Sequence, residues 1–268
     1  MKSFRDVVLA SLASAAFLLL LEGSLRLAHV HYQASFYQAD RERAFALRPN
    51  ATGWNVSENE VYIHINNDGM RDHERPVTRP PATLRIAVLG ASEAEARQVP
   101  LEKGIASVLS RHVDQALRPE GHPVDVLNFA VNGYTFSQNY LTLRDHVWKY
   151  DPQIVVQIVS IPNIFKNTRE LNWGDPRIPF YVLQSGRLVP DEPTRKAPPL
   201  NPRRVYWKNR LSDLLNHSTL LSLFNEAFNK AEEKLQKQKQ ALAAKLNEPT
   251  SSAAGPAAAG QGAASRRG

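Results

Sequence analysis

The chain has 268 residues, 43% of them hydrophobic and none of them cysteine, and its formal net charge is +7 at pH 7. This is enough apolar content for one domain with a real core. The lack of cysteine excludes a disulfide framework, a thiolate nucleophile and a cysteine zinc site. Much of the positive charge lies in lysines of one polar helix that are not interleaved with aromatic residues suited to base stacking, so we predict no nucleic-acid partner. A solvated helix face is the favoured interpretation of these lysines, and attraction to anionic lipid headgroups is the alternative. They are Lys230, Lys234, Lys237, Lys239 and Lys245.

Residues 1–28 predict a membrane anchor. The apolar run from Val7 to Leu21 gives about 22 Å of helix, which is shorter than the ~30 Å hydrocarbon core. The helix becomes long enough if it continues past Glu22 and Arg26, which can pair four residues apart near the interface. We expect an uncleaved signal anchor. A cleaved signal peptide is the alternative, but the small residues that cleavage needs lie inside the apolar run.

Residues 29–81 form a lead-in segment with few periodic signals. Val61 to Ile65 alternates like a short strand, and a turn is predicted at 67–69. Prolines mark the end of this segment, and an alternation of strands and helices follows.

The region 82–216 has the pattern of a parallel α/β sheet, because its strands alternate with helices long enough for right-handed crossovers. The predicted strands are Leu84–Leu89, Val124–Val131 and Ile154–Val159, and the predicted helices are Leu101–Leu117 and Ser137–Tyr150. Only three strands are visible, so the sheet is expected to be incomplete on its C-terminal side. The third strand would then have an exposed edge that a protein partner or the long helix could cover.

Two further elements are predicted after the sheet. Phe180 to Val189 reads as a small hairpin, and a long helix runs from about Ser218 to Asn247 within the segment 217–248. The apolar positions of this helix fall near heptad spacing, which makes it a second possible partner surface. Residues 249–268 are rich in Ala, Gly and Ser and are expected to be disordered.

Small or polar residues follow each of the three predicted strands, at Ser92, Gly133 and Asn163. The carboxyl ends of parallel strands are where functional groups gather in such sheets. A serine there can act as a nucleophile, while a glycine N–H and an asparagine side chain can stabilise an oxyanion.

These positions, with the residues around them, resemble the SGNH (GDSL-like) hydrolase family. The similar blocks are Leu84–Ser92 with Val99–Glu102, Leu127–Tyr134, Ile154–Asn163 and the lead-in Ile65–Asp72. The resemblance implies a three-layer, flavodoxin-like fold that hydrolyses or transfers acyl groups of lipid or carbohydrate esters. It also implies a single-pass protein of the bacterial inner membrane with its domain on the periplasmic side. Ser92 would be the nucleophile, and the oxyanion hole would combine the Ser92 and Gly133 N–H groups with the Asn163 side chain.

The chain also departs from the family pattern. Ala91 replaces the acidic residue of the first block, Pro162 and Ile164 flank Asn163, and no Asp-x-x-His follows. A missing general base typically lowers the rate 10²–10⁴-fold, so we expect an impaired site. A non-catalytic binding or assembly protein and a truncated gene product are the alternatives.

Each candidate also has a purely structural interpretation. Ser92 with Glu95 fits a capping box, which we favour over a working nucleophile. Gly133 could serve a tight turn, and Asn163 a turn or a helix cap. His73 beside Asp72 suits a surface loop better than a catalytic dyad. His64, His112, His146 and His217 lie in the lead-in or in helical regions. No metal site and no cofactor are predicted.

Overall fold

The computed structural model describes residues 4–165, 167–169, 171 and 177–246. By its internal contacts the chain divides into two units, Met1–Leu223 and Phe224–Gly268. Within the second unit the described residues are helical up to Leu246. The predicted tail, 249–268, lies outside the described residues.

The first helix, α1, spans Phe4–Leu27 and is the predicted anchor. Its mean hydropathy of 1.9 and its 24 residues make it long and apolar enough to cross a membrane, and none of its side chains is buried in the protein. Near its end the Glu22 carboxylate accepts a 2.7 Å hydrogen bond from Arg26, so the predicted ion pair is confirmed.

The lead-in segment folds into two antiparallel hairpins, of which only the last strand was predicted. The strands are β1 (Tyr37–Asp40) with β2 (Ala44–Leu47), and β3 (Thr52–Asn55) with β4 (Val61–His64). A buried cluster containing Phe36, Ile63 and Ile65 also includes Val131 and Tyr134 from the turn after β6. The segment is therefore part of the domain core rather than a spacer.

Three parallel strands form the central sheet in the order β6-β5-β7. They are β5 (Leu84–Leu89), β6 (Val124–Asn128) and β7 (Ile154–Gln157). Strand β5 matches its prediction, whereas β6 and β7 end three and two residues early. β7 lies at the sheet edge, where Ile154 is 44% exposed, as expected for the third strand.

Both faces of β5 are covered, because alternate side chains enter different clusters. Ile86 and Val88 pack with Ala106 from α3, while Ala87 and Leu89 pack with Val147 from the helical segment after β6. The covering elements are α2 (Ser92–Glu95), α3 (Ile105–Leu117) and α4 (Phe136–Thr142), with α4 followed by a π-helical stretch at Leu143–Val147 and a 3₁₀ turn at Trp148–Tyr150. The single helix predicted over Ser137–Tyr150 is thus divided in three.

The remaining elements are α5 (Ile161–Phe165), β8 (Tyr181–Gln184), β9 (Arg187–Pro190), α6 (Glu192–Arg195), α7 (Pro202–His217) and α8 (Thr219–Leu246). The hairpin and the long helix match their predictions closely. Helix α7 was not predicted, and four of its apolar residues, Tyr206, Trp207, Leu211 and Leu214, are more than half exposed.

Candidate functional site

Ser92 begins the one-turn helix α2 directly after the central strand. The approach is tight: a Cβ on Gly90 would lie 2.7 Å from the Ala94 Cβ and 3.4 Å from the Ile158 Cβ, so glycine is needed there. The half-buried Ser92 hydroxyl donates to the Glu93 carboxylate at 3.2 Å.

The capping box favoured from the sequence does not form. Ala91 is the N-cap of α2 and no side chain caps the helix. The Glu95 side chain is fully buried and hydrogen-bonds elsewhere. The Ser92 hydroxyl is therefore not committed to holding the helix.

Gly133 lies in the turn that follows β6, beside α2. The Val131 N–H donates to the Gly90 carbonyl at 3.4 Å, which joins this turn to the end of β5. Gly133 has φ +80°, a conformation that L side chains rarely adopt. Its role in a tight turn is therefore confirmed, and its N–H remains available as an oxyanion donor by prediction only.

Glu95 is the residue that links Ser92's helix to the Gly133 turn. Its carboxylate accepts a short hydrogen bond from the Asn132 N–H and a 3.2 Å bond from the Tyr37 hydroxyl, and it pairs with the Arg97 guanidinium at 3.3 Å. Burial raises the pKa of the Glu95 carboxyl, against the lowering effect of Arg97 and of the Asn132 N–H. Burial and the neighbouring Glu95 also raise the pKa of Tyr37.

The backbone of α2 is held from two sides. Arg71 of the lead-in segment donates at 2.8 Å to the carbonyls of Glu95 and Ala96, and the Asn128 side chain donates to the Ala94 carbonyl at 2.9 Å. The lead-in therefore fixes the position of the Ser92 helix. No local pattern in the sequence predicts these contacts.

Asn163 lies inside α5, so it is neither a turn residue nor a helix cap. The Ile158 N–H donates to the Leu89 carbonyl at 2.8 Å, which places the chain after β7 beside the end of β5. The Asn163 carbonyl accepts a short bond from the Asn167 side chain, whose oxygen accepts the Phe136 N–H at 2.6 Å. All three candidates thus follow neighbouring strands at the carboxyl end of the sheet, but in the described residues no hydrogen bond joins the side chains of Ser92 and Asn163.

Within the same described ranges, no histidine hydrogen-bonds to Ser92. His73 is exposed, while the buried Asp72 carboxylate accepts from Arg75 and from the Asn128 N–H. The surface-loop interpretation of His73 is therefore confirmed. Burial, with the Arg43 charge, lowers the pKa of the half-buried His146. The group that the Ser92 hydroxyl does contact is the Glu93 carboxylate.

Two cavities lie away from these residues. One of about 290 Å³ is lined by residues that include Asp40, Arg43, His146 and Lys149. Another of about 560 Å³ lies between β4 and the segments 71–74 and 100–102. Neither includes Ser92, Gly133 or Asn163, and the described residues contain no group of three metal-ligating side chains.

Comparisons with protein-family models and with curated proteins find no match. The SGNH resemblance therefore stays a prediction based on the motifs of this chain.

Proposed function

We propose that this chain is a membrane-anchored ester hydrolase domain of the SGNH type, on a flavodoxin-like scaffold, with Ser92 as its nucleophile. Its substrates would be acyl esters of lipids or carbohydrates on the periplasmic side of a bacterial inner membrane. The observation that carries the proposal is the position of Ser92: it opens the helix after the central strand, its hydroxyl does not cap that helix, and the Gly133 turn lies beside it.

In the proposed reaction the Ser92 Oγ attacks the ester carbonyl carbon and its proton passes to the Glu93 carboxylate. The negative charge on the carbonyl oxygen is stabilised by the N–H groups of Ser92 and Gly133 and by the Asn163 side chain. Collapse of this intermediate expels the alcohol, which takes the proton back from Glu93, and water then hydrolyses the acyl-serine. A carboxylate has an ordinary pKa near 4.3 and is a weaker base than imidazole, so turnover is slow.

The test is labelling of the full-length chain in detergent with a fluorophosphonate probe, followed by mass spectrometry. We expect the label on Ser92, with loss in Ser92→Ala and no change in Ser110→Ala, a half-buried serine of α3. Glu93→Gln should slow both labelling and the hydrolysis of a short-chain ester by about 10² or more. A folded sample without label on Ser92 contradicts the hydrolase proposal.

A non-catalytic assembly role is the second candidate, and the observation in its favour is that Ser92 contacts a carboxylate where a hydrolase of this type needs an imidazole. It predicts that Ser92→Ala leaves the cellular role intact. Loss of that role in cells that express normal amounts of the variant rules this candidate out.

A further inference from the structure

Helix α7 has its polar and apolar sides reversed relative to a surface helix of a soluble domain. Its inward side chains are polar: Asn209 donates to Gln38 at 2.9 Å, Asp213 pairs with Arg48, and Asn216 donates to two lead-in carbonyls at 2.9 and 3.0 Å. Polar side chains therefore make much of the attachment of this helix to the domain.

Four of the six apolar residues of α7 are mostly exposed, while Val205 and Leu215 are half-buried. Tyr206 is 53% exposed, Trp207 69%, Leu211 55% and Leu214 57%. Residues at 207, 211 and 214 follow one face of a helix, so together they make a continuous apolar stripe. Large exposed apolar surfaces of this kind mark contacts with a partner or a membrane.

The stripe is bordered by positive charge. The exposed basic residues of this helix are Arg203, Arg204, Lys208 and Arg210. Asp213, the acidic residue of α7, is paired with Arg48. A mixture of Trp, Tyr, Leu and basic side chains is typical of helices that lie at the boundary between lipid headgroups and acyl chains.

The end of α7 is bound to the end of the membrane helix. Arg26 of α1 donates to the His217 carbonyl at 2.6 Å. The Glu22 carboxylate accepts the N–H groups of Thr219 and Leu220 at 3.0 and 2.9 Å, and also the Ser218 hydroxyl. Since Glu22 directly follows the apolar run of α1, residues 217–220 lie at the level where that helix leaves the hydrocarbon.

We propose that α7 lies along the membrane surface, with its aromatic and leucine stripe in the headgroup boundary and its basic residues against anionic lipid phosphates. The occupant of the stripe is a lipid surface rather than a second copy of the chain, because α1 already holds the end of α7 at the membrane and the flanking charges match anionic lipid. This inference does not depend on the proposed ester chemistry.

The absence of cysteine from the sequence allows a direct test. Single variants Leu211→Cys and Leu214→Cys of the full-length chain are labelled with an environment-sensitive fluorophore. They are then placed one copy per nanodisc in phosphatidylcholine with or without phosphatidylglycerol, with acyl chains brominated as quenchers. Ala116→Cys, an exposed position on α3, is the matched control.

We expect bromine quenching and a blue-shifted emission for both α7 labels in the anionic discs, and neither for the Ala116 label. Replacing Arg203, Arg204, Lys208 and Arg210 with glutamine should lower the equilibrium constant for docking of α7 on the anionic lipid surface by about fivefold per residue. Each basic side chain near such a surface contributes about 1 kcal/mol. α7 labels quenched no more than the control overturn the proposal. A blue shift that appears only in discs prepared with two copies of the chain also overturns it, because a second copy would then be the occupant.

Discussion

The two ends of the central strand β5 both carry polar residues, but they use them differently. At the amino end, the fully buried Arg85 donates to the Asp125 carboxylate at 3.0 and 3.2 Å and to the carbonyls of Val77 and Tyr150 at 3.0 and 2.9 Å. At the carboxyl end, the Ser92 hydroxyl donates to the Glu93 carboxylate at 3.2 Å. Each nitrogen of the Arg85 guanidinium therefore has a partner within the fold, whereas the half-buried Ser92 hydroxyl contacts the exposed side chain of the next residue.

The amino-end network extends into the lead-in segment. Arg75 donates to Asp125 at 2.5 Å and to Asp72 at 2.8 Å, and Asp72 accepts the Asn128 N–H at 3.0 Å. The network therefore links the hairpin region to two strands of the sheet, which gives it a structural role independent of Ser92.

The largest effect is expected from breaking this network. Arg85→Met removes one partner of a buried ion pair and the donor to the carbonyls of Val77 and Tyr150, so the free energy of unfolding should fall by about 3–5 kcal/mol. Urea unfolding of the full-length chain in detergent, followed by circular dichroism, measures the loss.

Ser92→Ala is the matched change at the other end, and it should alter the free energy of unfolding by less than about 0.5 kcal/mol. Equal losses for the two variants would mean that both ends of β5 serve stability, and the contrast drawn between them would be wrong.

Glu95 stands between these two cases, because it is buried like Arg85 yet belongs to the Ser92 helix. Its hydrogen bonds from the Asn132 N–H and from Tyr37 hold the Gly133 turn and the first hairpin against α2. It is a positioning residue in the proposed site: it does not contact the ester, but it sets where the Ser92 helix and the turn meet.

Glu95→Ala should lower the free energy of unfolding by about 1.5–3 kcal/mol, since hydrogen bonds to a charged partner are lost.

Glu95→Gln removes the titratable group and keeps a side chain of similar size, so it isolates the effect of the charge. Because burial raises the folded-state pKa, the folded chain binds more protons than the unfolded chain above about pH 4.3. The contribution of Glu95 to stability is therefore full at low pH and is lost as the pH rises through the raised pKa.

Urea unfolding of wild type and Glu95→Gln across this range measures the effect. The wild type should lose stability relative to Glu95→Gln as the pH rises, since other groups titrate alike in both proteins. Arg97, Arg71 and Tyr37 are the charged or titratable groups nearest to this carboxyl. A difference that stays constant with pH would mean that Glu95 is ionised in both states.

The parallel sheet could be predicted from the sequence because β5 is buried on both faces and its run of apolar residues is nearly continuous. Arg85 interrupts that run, and nothing local indicates that Asp125 lies opposite it. Strands β1, β2 and β3 were missed for another reason: their hairpins are stabilised by contacts with Val131 and Tyr134, about 70 or more residues away in the chain. Helix α7 was missed although Trp207, Leu211 and Leu214 have helical spacing, because this apolar stripe is short and is interleaved with basic residues.

The candidate site could be predicted only in part. Ser92, Gly133 and Asn163 were placed by the strands that they follow, and the structure gives all three neighbouring positions at one sheet edge. The role of Glu95 was misread, because Ser-x-x-Glu predicts a capping box and the competing partners, Tyr37 and the Asn132 N–H, come from distant segments. Only the fold could show which contact the carboxylate prefers.

A small gain in stability is expected from the backbone on either side of β5. Ala82 before the strand and Ala96 after it both have φ +58°, a conformation that is strained by about 1–2 kcal/mol for an L residue. Glycine relieves this strain but adds about 0.4–1 kcal/mol of unfolded-state entropy. The exposed Ala82→Gly should therefore raise the free energy of unfolding by about 0.5–1 kcal/mol. Ala96→Gly should raise it by less, because the Ala96 methyl group is buried. Chemical unfolding of the two variants side by side tests this order, and a larger gain at Ala96 would mean that the turn after Ser92 is the more strained end of the strand.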